Sequence, residues 1–128
     1  MDFLAETADL DVALDPFPYS GSTTTLDLLW MGVPTVTLRS GDPRAATPWI
    51  LETCRLDGLV AATPDAYLTI AADLVGDPGA LVALRAELRP RLLGSGLTDP
   101  RRMAQEFEAM VRKAWRAWAE RRRSTSGD

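Results

Sequence analysis

The sequence contains no histidine and one cysteine, Cys54. Without imidazole groups, and with one thiol, it offers no plausible zinc cluster, so we expect no metal site. A lone cysteine also excludes an internal disulfide, which fits a reducing compartment. No apolar run approaches the roughly 20 residues of a membrane span, and the first residues lack the basic start of a signal peptide. We therefore expect a cytoplasmic protein that has no membrane partner.

The composition indicates one small globular domain. Of 128 residues, 46% are hydrophobic and 25% are charged, which is enough for a sizeable core. Residues 1–84 hold 12 acids and 3 bases, whereas residues 85–128 hold 11 bases and 6 acids. The basic part is a possible nucleic-acid surface, but its arginines follow a helical pattern without stacking aromatics, and the net charge is −4. We expect no nucleic-acid partner.

The stretch from Tyr19 to Leu38 predicts a loop, a helix and a strand. Residues 20–25 are small, and they precede an apolar helical pattern that closes at Gly32. Residues 33–38 then form a near-continuous apolar run, which is typical of a strand in a parallel sheet buried on both faces.

Polar residues at the start of this helix form a candidate ligand site. Ser22, Thr23 and Thr24 fall where unpaired backbone N–H groups and the positive end of the helix dipole favour an anion such as phosphate. Asp27 lies one turn further on, where its carboxylate could accept a hydrogen bond from a sugar hydroxyl beside that phosphate. The alternative is an ordinary helix cap, since Ser and Thr are common N-caps.

Two arginines follow the strand at residues 33–38. Arg39 and Arg44 lie in a loop at the C-terminal end of that strand, which is where open α/β sheets bind ligands. Each is a possible phosphate contact, but an exposed arginine is more often a solvated surface charge.

Other segments predict a short sheet followed by helices. Residues 10–14 and 59–62 have the pattern of short strands. A capping residue precedes a proline at four predicted helix starts: Thr47-Pro48, Thr63-Pro64, Asp77-Pro78 and Asp99-Pro100. We expect Pro90 to bend or shorten the third of these helices. The last helix, predicted to end near Arg122, has a wide aromatic face that would pack on the domain or on a partner.

The central stretch resembles the C-terminal part of the O-linked N-acetylglucosamine transferase family, glycosyltransferase family 41, including its SPINDLY-type members. The resemblance runs from about Asp11 to Trp118 and is carried by Asp15 to Gly21, Thr23-Thr24, Asp27 and Leu29 to Pro34. It implies an α/β fold that is partial Rossmann-like, as in the C-terminal domain of a GT-B enzyme, with a short parallel sheet and C-terminal helices. We expect this domain over residues 1–122 and a disordered tail over residues 123–128.

The resemblance implies a protein O-glycosyltransferase, or a fragment or relative of one. Such an enzyme transfers N-acetylglucosamine from UDP-N-acetylglucosamine to Ser or Thr hydroxyls. Carried over residue by residue, Thr23 and Thr24 would contact the diphosphate, and Asp27 would contact the ribose. Ser22 stands where animal members of the family have a histidine, and it belongs to the same expected nucleotide-binding group. Thr47-Pro48 stands where most relatives have Ser-Arg, which removes a cation beside the nucleotide. No cofactor or metal is expected, and no catalytic residue is assigned.

The resemblance also implies missing partners. A GT-B enzyme works in the cleft between two Rossmann-like domains, and this chain resembles part of the second. We therefore expect a fragment that is inactive alone. Its expected partners are a nucleotide sugar, a protein acceptor, and either an N-terminal catalytic and repeat region or a second copy of the chain. Fucosyl-transferring relatives share the motif, which leaves the sugar open. The alternatives are a non-catalytic nucleotide- or partner-binding module, and a protein whose functional part is the basic aromatic helix.

Overall fold

The chain divides into two compact units at the junction between Ser95 and Gly96. The computed structural model describes residues 3–125, and the side chains of residues 4–123. The single domain over residues 1–122 stays a prediction.

The first unit consists of short strands that alternate with helices and are followed by two longer helices. Its elements are α1 (Phe3–Thr7), β1 (Ala13–Leu14), α2 (Thr23–Trp30), β2 (Thr35–Leu38), α3 (Ala46–Thr53), a 3₁₀ turn (Asp57–Leu59), β3 (Val60–Ala61), α4 (Pro64–Gly76) and α5 (Pro78–Gly94). In the described part of the second unit, the regular element is α6 (Pro100–Thr125).

The three strands form one parallel sheet in the order β1-β2-β3. Ala13 of β1 lies opposite Thr35, and Thr37 lies opposite Val60 of β3. Successive strand residues point to opposite faces, so the two threonines of β2 share one face and Val36 points to the other. This arrangement confirms the expected fold class, a short parallel sheet of α/β type followed by helices.

Both long helices of the first unit bury an apolar stripe. On α4, Tyr67 is buried against Val36 and Ala61 of the sheet, with Ile70, Ala71 and Leu74 packed around them. On α5, the buried residues are Leu81, Leu88 and Leu92. These stripes form part of the core of the first unit.

Local sequence signals account for three of the helix ends. Gly32 ends α2 with φ +76°, and the N–H of Val33 donates to the carbonyl of Leu28 at 2.8 Å. The side chains of Thr63 and Asp77 accept backbone N–H groups at the starts of α4 and α5, at 3.2 and 2.9 Å. Both caps were expected from the Thr-Pro and Asp-Pro pairs.

Three helix boundaries differ from expectation. Thr47 is not an N-cap, because α3 begins at Ala46 and the Thr47 hydroxyl is engaged with the loop before α2. Pro90 does not shorten α5, which continues to Gly94 because buried leucines at 88 and 92 hold both sides of the proline in the core. Helix α6 extends to Thr125 rather than ending near Arg122, and residues 126–128 of the expected tail lie outside the described residues.

The side chain of Arg85 joins α5 to the segment between α1 and β1. Its guanidinium donates to the carbonyl oxygens of Asp11 at 3.0 Å and Ala8 at 3.2 Å, and also to that of Leu10. Nearby, the guanidinium of Arg89 lies 3.9 Å from the ring centroid of Trp30, which joins α5 to α2. These contacts bring basic residues of α5 onto the acidic N-terminal part of the chain.

Helix α6, taken alone, is a 26-residue amphipathic helix. Its exposed apolar residues include Met103, Phe107 and Met110, and the rings of Trp115 and Trp118 stack with centroids 4.9 Å apart. No other described element of its own unit covers this side, so packing against the domain or a partner, and self-association through it, stay predictions.

Within residues 3–125, none of the helices is by itself both long enough and apolar enough to cross a membrane. One bent pair, α4 with α5 at an angle of 102°, meets the requirement of length and composition when the two are taken together.

The packing of α5 gives a direct test of the core. Leu88 is 0% exposed, whereas Leu93 on the same helix is 52% exposed. We expect Leu88→Ala to lower the free energy of unfolding by about 2 to 5 kcal/mol, because it leaves a cavity. Leu93→Ala, the matched control, should change it by about 0.5 kcal/mol or less. Urea unfolding followed by circular dichroism measures both, and equal effects would contradict this core.

Candidate functional site

The loop between β1 and α2 leaves the sheet at the C-terminal end of its first strand. In open parallel sheets this is the edge at which ligands bind. Asp15 begins the loop, and its backbone N–H still pairs with the carbonyl of Val36 at 2.9 Å, continuing the β1-β2 ladder. The loop is therefore anchored on the sheet where it starts.

The carboxylate of Asp15 is the buried anchor of the loop. Asp15 is 4% exposed. Its Oδ1 accepts the N–H of Gly21 at 2.8 Å, and its Oδ2 accepts the hydroxyl of Thr37 on β2 at 2.7 Å. Because both oxygens have donors, part of the cost of burying the carboxylate is offset.

Tyr67 of α4 reaches the same residue from the other side of the sheet. Its hydroxyl donates to the backbone carbonyl of Asp15 at 3.0 Å. Burial, and then the negative charge of Asp15, raise the pKa of Tyr67 above its ordinary value. The phenol therefore stays protonated as a donor, and the position of Asp15 is fixed by groups from β2 and α4.

The carbonyl of Gly21 is held by α3. Thr47 donates its hydroxyl to this carbonyl at 2.9 Å, and its backbone N–H donates to Ser20 Oγ at 3.3 Å. The Oγ1 atoms of Thr25 and Thr47 lie 2.9 Å apart. A Cβ atom added at Gly21 would lie 3.0 Å from Thr25 Oγ1, so this network leaves little room for a larger residue.

The start of α2 is open. Ser22 is the N-cap residue, and its side chain makes no capping hydrogen bond, although its carbonyl accepts the N–H of Leu26 at 3.2 Å. Ser22, Thr23 and Thr24 are exposed, while Thr25 is buried. The side chain of Ser22 therefore does not cap the helix, and the N–H groups of the first turn have no partner inside the helix.

Asp27 lies further along the same helix and is half-buried. It follows Thr23 by four positions and Thr24 by three, so all three residues lie on neighbouring parts of one helix surface. Within residues 3–125, no group hydrogen-bonds or ion-pairs with its side chain. Its carboxylate is therefore free to accept hydrogen bonds from a ligand.

The two candidate arginines are engaged with neighbouring acids. Arg39 pairs with Glu52 of α3. Arg44 donates from Nη2 to Asp42 Oδ2 at 2.9 Å and from Nε to Asp42 Oδ1 at 3.1 Å. These hydrogen bonds lower the pKa of Asp42 and raise that of Arg44. A ligand phosphate would have to compete with these carboxylates, and a phosphate contact by either arginine stays a prediction.

Two other features lie outside this site. A groove of about 530 Å³ is lined by the 3₁₀ turn, α4 and α5, and its apolar walls include Leu59, Ile70 and Leu81. None of its lining residues belongs to the loop or to the start of α2. Across the described chain, no three His, Cys, Asp or Glu side chains are grouped so that they could hold a metal ion.

The topology and the open helix start define the class of this chain. Parallel strands that alternate with helices, with the loop after β1 opening onto the start of α2, are the features of a partial Rossmann-like domain. The solved structure of a mutant O-GlcNAc transferase from Thermobaculum terrenum has this fold. It matches with a TM-score of 0.83 and 42% sequence identity over 91% of this chain and 22% of that one.

Sequence comparison then gives the family. The model of Glycosyl transferase family 41 matches residues 6–107, and the chain belongs to that family. It is 37% identical over 113 residues to the probable UDP-N-acetylglucosamine--peptide N-acetylglucosaminyltransferase SPINDLY of Hordeum vulgare, covering 87% of this chain and 12% of that protein. It is 34% identical over 110 residues to the UDP-N-acetylglucosamine--peptide N-acetylglucosaminyltransferase of Caenorhabditis elegans, covering 84% and 10%. The chain thus spans about a tenth to an eighth of the length of these relatives.

The structure adds residues that sequence reasoning did not assign to the site. Asp15, Gly21, Thr25, Thr37 and Thr47 form the buried network beneath the loop. The position of Asp15, between a predicted strand and a proline-rich loop, was a sequence signal for this network. A carboxylate buried there needs hydrogen-bond donors, because burying it without them is costly. The partners of that residue were not evident, because they lie on other elements.

The two threonines of β2 test this network as a matched pair. Both are buried on the same face, but Thr37 donates to Asp15, whereas the hydroxyl of Thr35 has no hydrogen-bond partner among the described residues. We expect Thr37→Val to lower the free energy of unfolding by about 1 to 3 kcal/mol, because one oxygen of Asp15 loses its donor. Thr35→Val should be neutral or stabilising. Thermal and urea unfolding of both variants measure this, and a Thr35→Val loss as large as that of Thr37→Val would refute it.

Proposed function

We propose that this chain binds the diphosphate and ribose of a nucleotide sugar, UDP-N-acetylglucosamine, as part of a protein O-glycosyltransferase. The observation that carries the proposal is the open start of α2. It has exposed hydroxyls, and the side chain of Ser22 at the N-cap position makes no capping hydrogen bond. The relatives of this chain are named for transfer of N-acetylglucosamine from this nucleotide sugar to peptides.

The diphosphate would bind at the first turn of α2. Backbone N–H groups there point along the helix axis out of the N-terminus, and the helix dipole places partial positive charge at that end. Thr23 and Thr24 are exposed and add two hydroxyl donors. Two phosphate groups need several donors, and this turn supplies them without a basic side chain.

The ribose would bind beside it through Asp27. An ionised carboxylate accepts hydrogen bonds but cannot donate, so it suits a sugar diol better than a phosphate. Asp27 follows Thr23 by four positions and Thr24 by three, so a ribose attached to a diphosphate at the two threonines would lie within its reach. Its lack of a partner in residues 3–125 keeps it available for this role.

In sugar transfer, the start of α2 would stabilise the leaving group. An acceptor hydroxyl attacks the anomeric carbon with inversion, the bond from that carbon to the diphosphate oxygen breaks, and negative charge grows on the diphosphate. Donors already oriented toward that oxygen stabilise the developing charge without reorganisation. The base that takes the acceptor proton is not assigned to any residue of this chain.

The second candidate function is a non-catalytic nucleotide- or partner-binding module. It is favoured by the pairing of both candidate arginines with acids, and by Thr47-Pro48, which leaves no arginine at the start of α3. The sugar is a further alternative, because a GDP-fucose donor carries the same diphosphate and ribose. Both alternatives keep the proposed contacts of α2 and differ in whether transfer occurs and from which donor.

Calorimetry with UDP tests the diphosphate contacts. We expect the chain to bind UDP weakly, with a dissociation constant on the order of 0.1 to 1 mM, because few of the contacts come from this segment. Thr23→Val with Thr24→Val should weaken binding at least tenfold, roughly 1.4 kcal/mol. Thr69→Val, which changes an exposed threonine of α4, is the matched control and should bind as wild type does. Unchanged UDP binding by the double variant would remove the site assignment.

The ribose contact is separable in the same titration. Wild type should bind UDP more tightly than its 2′,3′-dideoxy analogue, and Asp27→Ala should remove that preference. The matched control is Asp73→Ala on α4. If Asp27→Ala retains the full preference, the carboxylate does not contact the ribose.

A radiolabel assay tests catalysis by the chain alone. We expect no detectable transfer to peptide from either UDP-N-acetylglucosamine or GDP-fucose, because a GT-B site is formed between two domains and this chain contributes one three-stranded sheet. Turnover that disappears in Asp27→Ala would contradict this expectation and show that the chain assembles a complete site, for example as an oligomer.

A further inference from the structure

We propose that Asp15 and Thr47 are positioning residues for the diphosphate part of this site, an inference that rests on the proposed function. They hold the two peptide groups on either side of the Gly21 Cα atom. Asp15 Oδ1 accepts the N–H of Gly21 at 2.8 Å, and Thr47 Oγ1 donates to its carbonyl at 2.9 Å. One residue follows β1 and the other lies in the first turn of α3, so the loop is held from two sides.

The contact from Thr47 sets the direction of the next N–H group. The peptide bond between Gly21 and Ser22 is trans, and in a trans peptide the N–H points opposite to the carbonyl. Thr47 is 0% exposed, so it holds the Gly21 carbonyl toward the interior. The N–H of Ser22 therefore points away from the buried hydroxyl. In the described part of the chain, no group accepts this N–H.

The packing around Gly21 keeps the loop from relaxing. A Cβ atom at this position would lie 3.0 Å from Thr25 Oγ1 and 3.2 Å from Asp15 Oδ1. The same hydroxyl of Thr25 contacts Thr47 Oγ1, which ties the start of α2 to α3. A shift of the loop would break several buried hydrogen bonds together. The donors before α2 are thus oriented before a ligand arrives, which lowers the cost of binding.

In this arrangement Thr47 orients the peptide before Ser22 in addition to packing in the core. Loss of its hydroxyl leaves the apolar surface of α3 in place but frees the carbonyl of Gly21, so the peptide before Ser22 can rotate. A variant of this kind should lose affinity for the ligand group nearest that peptide. The second phosphate group of UDP, which UMP lacks, should therefore lose more binding affinity than the rest of the nucleotide.

The experiment compares UDP with UMP by NMR titration of ¹⁵N-labelled chain. We expect Thr47→Val to weaken UDP binding roughly tenfold, while UMP binding changes about twofold or less, so that the preference for the diphosphate falls. Thr47→Ser, which keeps a hydroxyl, should restore most of the preference. Thr35→Val is the matched control, because it changes a buried threonine whose hydroxyl has no partner, and it should retain the wild-type preference.

The outcomes separate this inference from the proposed function. A wild type that binds no UDP overturns both. If UDP binds and the Thr23, Thr24 double variant weakens it while Thr47→Val does not, the proposed function stands and the positioning role is wrong. Equal losses for UDP and UMP in Thr47→Val would also overturn the role, since they indicate general damage.

A second variant covers the case in which Thr47→Val fails to fold by circular dichroism. Thr37→Val removes one donor from Asp15 without altering α3. It should lower the preference for UDP over UMP in the same direction as Thr47→Val. A folded Thr37→Val chain with the full wild-type preference would overturn the role of Asp15.

Discussion

The hydrogen bond from the Gly21 N–H to the buried carboxylate of Asp15 is the constraint on which the rest of the site depends. A charge in the interior is tolerated only when its oxygens have donors, so the loop must bring Gly21 back over the end of β1 and β2 must present Thr37. These requirements bring the chain to the start of α2 in one orientation. The open helix end is therefore a consequence of how the carboxylate is satisfied.

The same network explains why the sheet can be so small. β1 and β3 contain two residues each, and β2 contains four. Main-chain ladders of this length hold a strand edge weakly. Thr37 of β2 and Tyr67 of α4 both bond to Asp15 at the end of β1, and Thr47 of α3 bonds to Gly21 in the loop. Polar contacts therefore supplement the ladder where the loop departs.

Features that depend on neighbouring residues were predictable from the sequence. Thr63 and Asp77 cap helices through N–H groups three residues away. Thr47 had the same local signature as Thr63, yet its hydroxyl bonds a carbonyl 26 residues earlier in the chain. A cap and a long-range donor compete for one hydroxyl, and only tertiary packing decides which forms.

The contacts of Arg85 bear on the order in which the chain folds. Its guanidinium donates to carbonyls that precede it by 74 to 77 positions, in the segment between α1 and β1. Contacts so distant in sequence form late, because a long loop must close first. During synthesis, the segment before β1 therefore emerges long before its partner on α5. The contacts from Arg85 to this segment therefore cannot form until α5 has been synthesised.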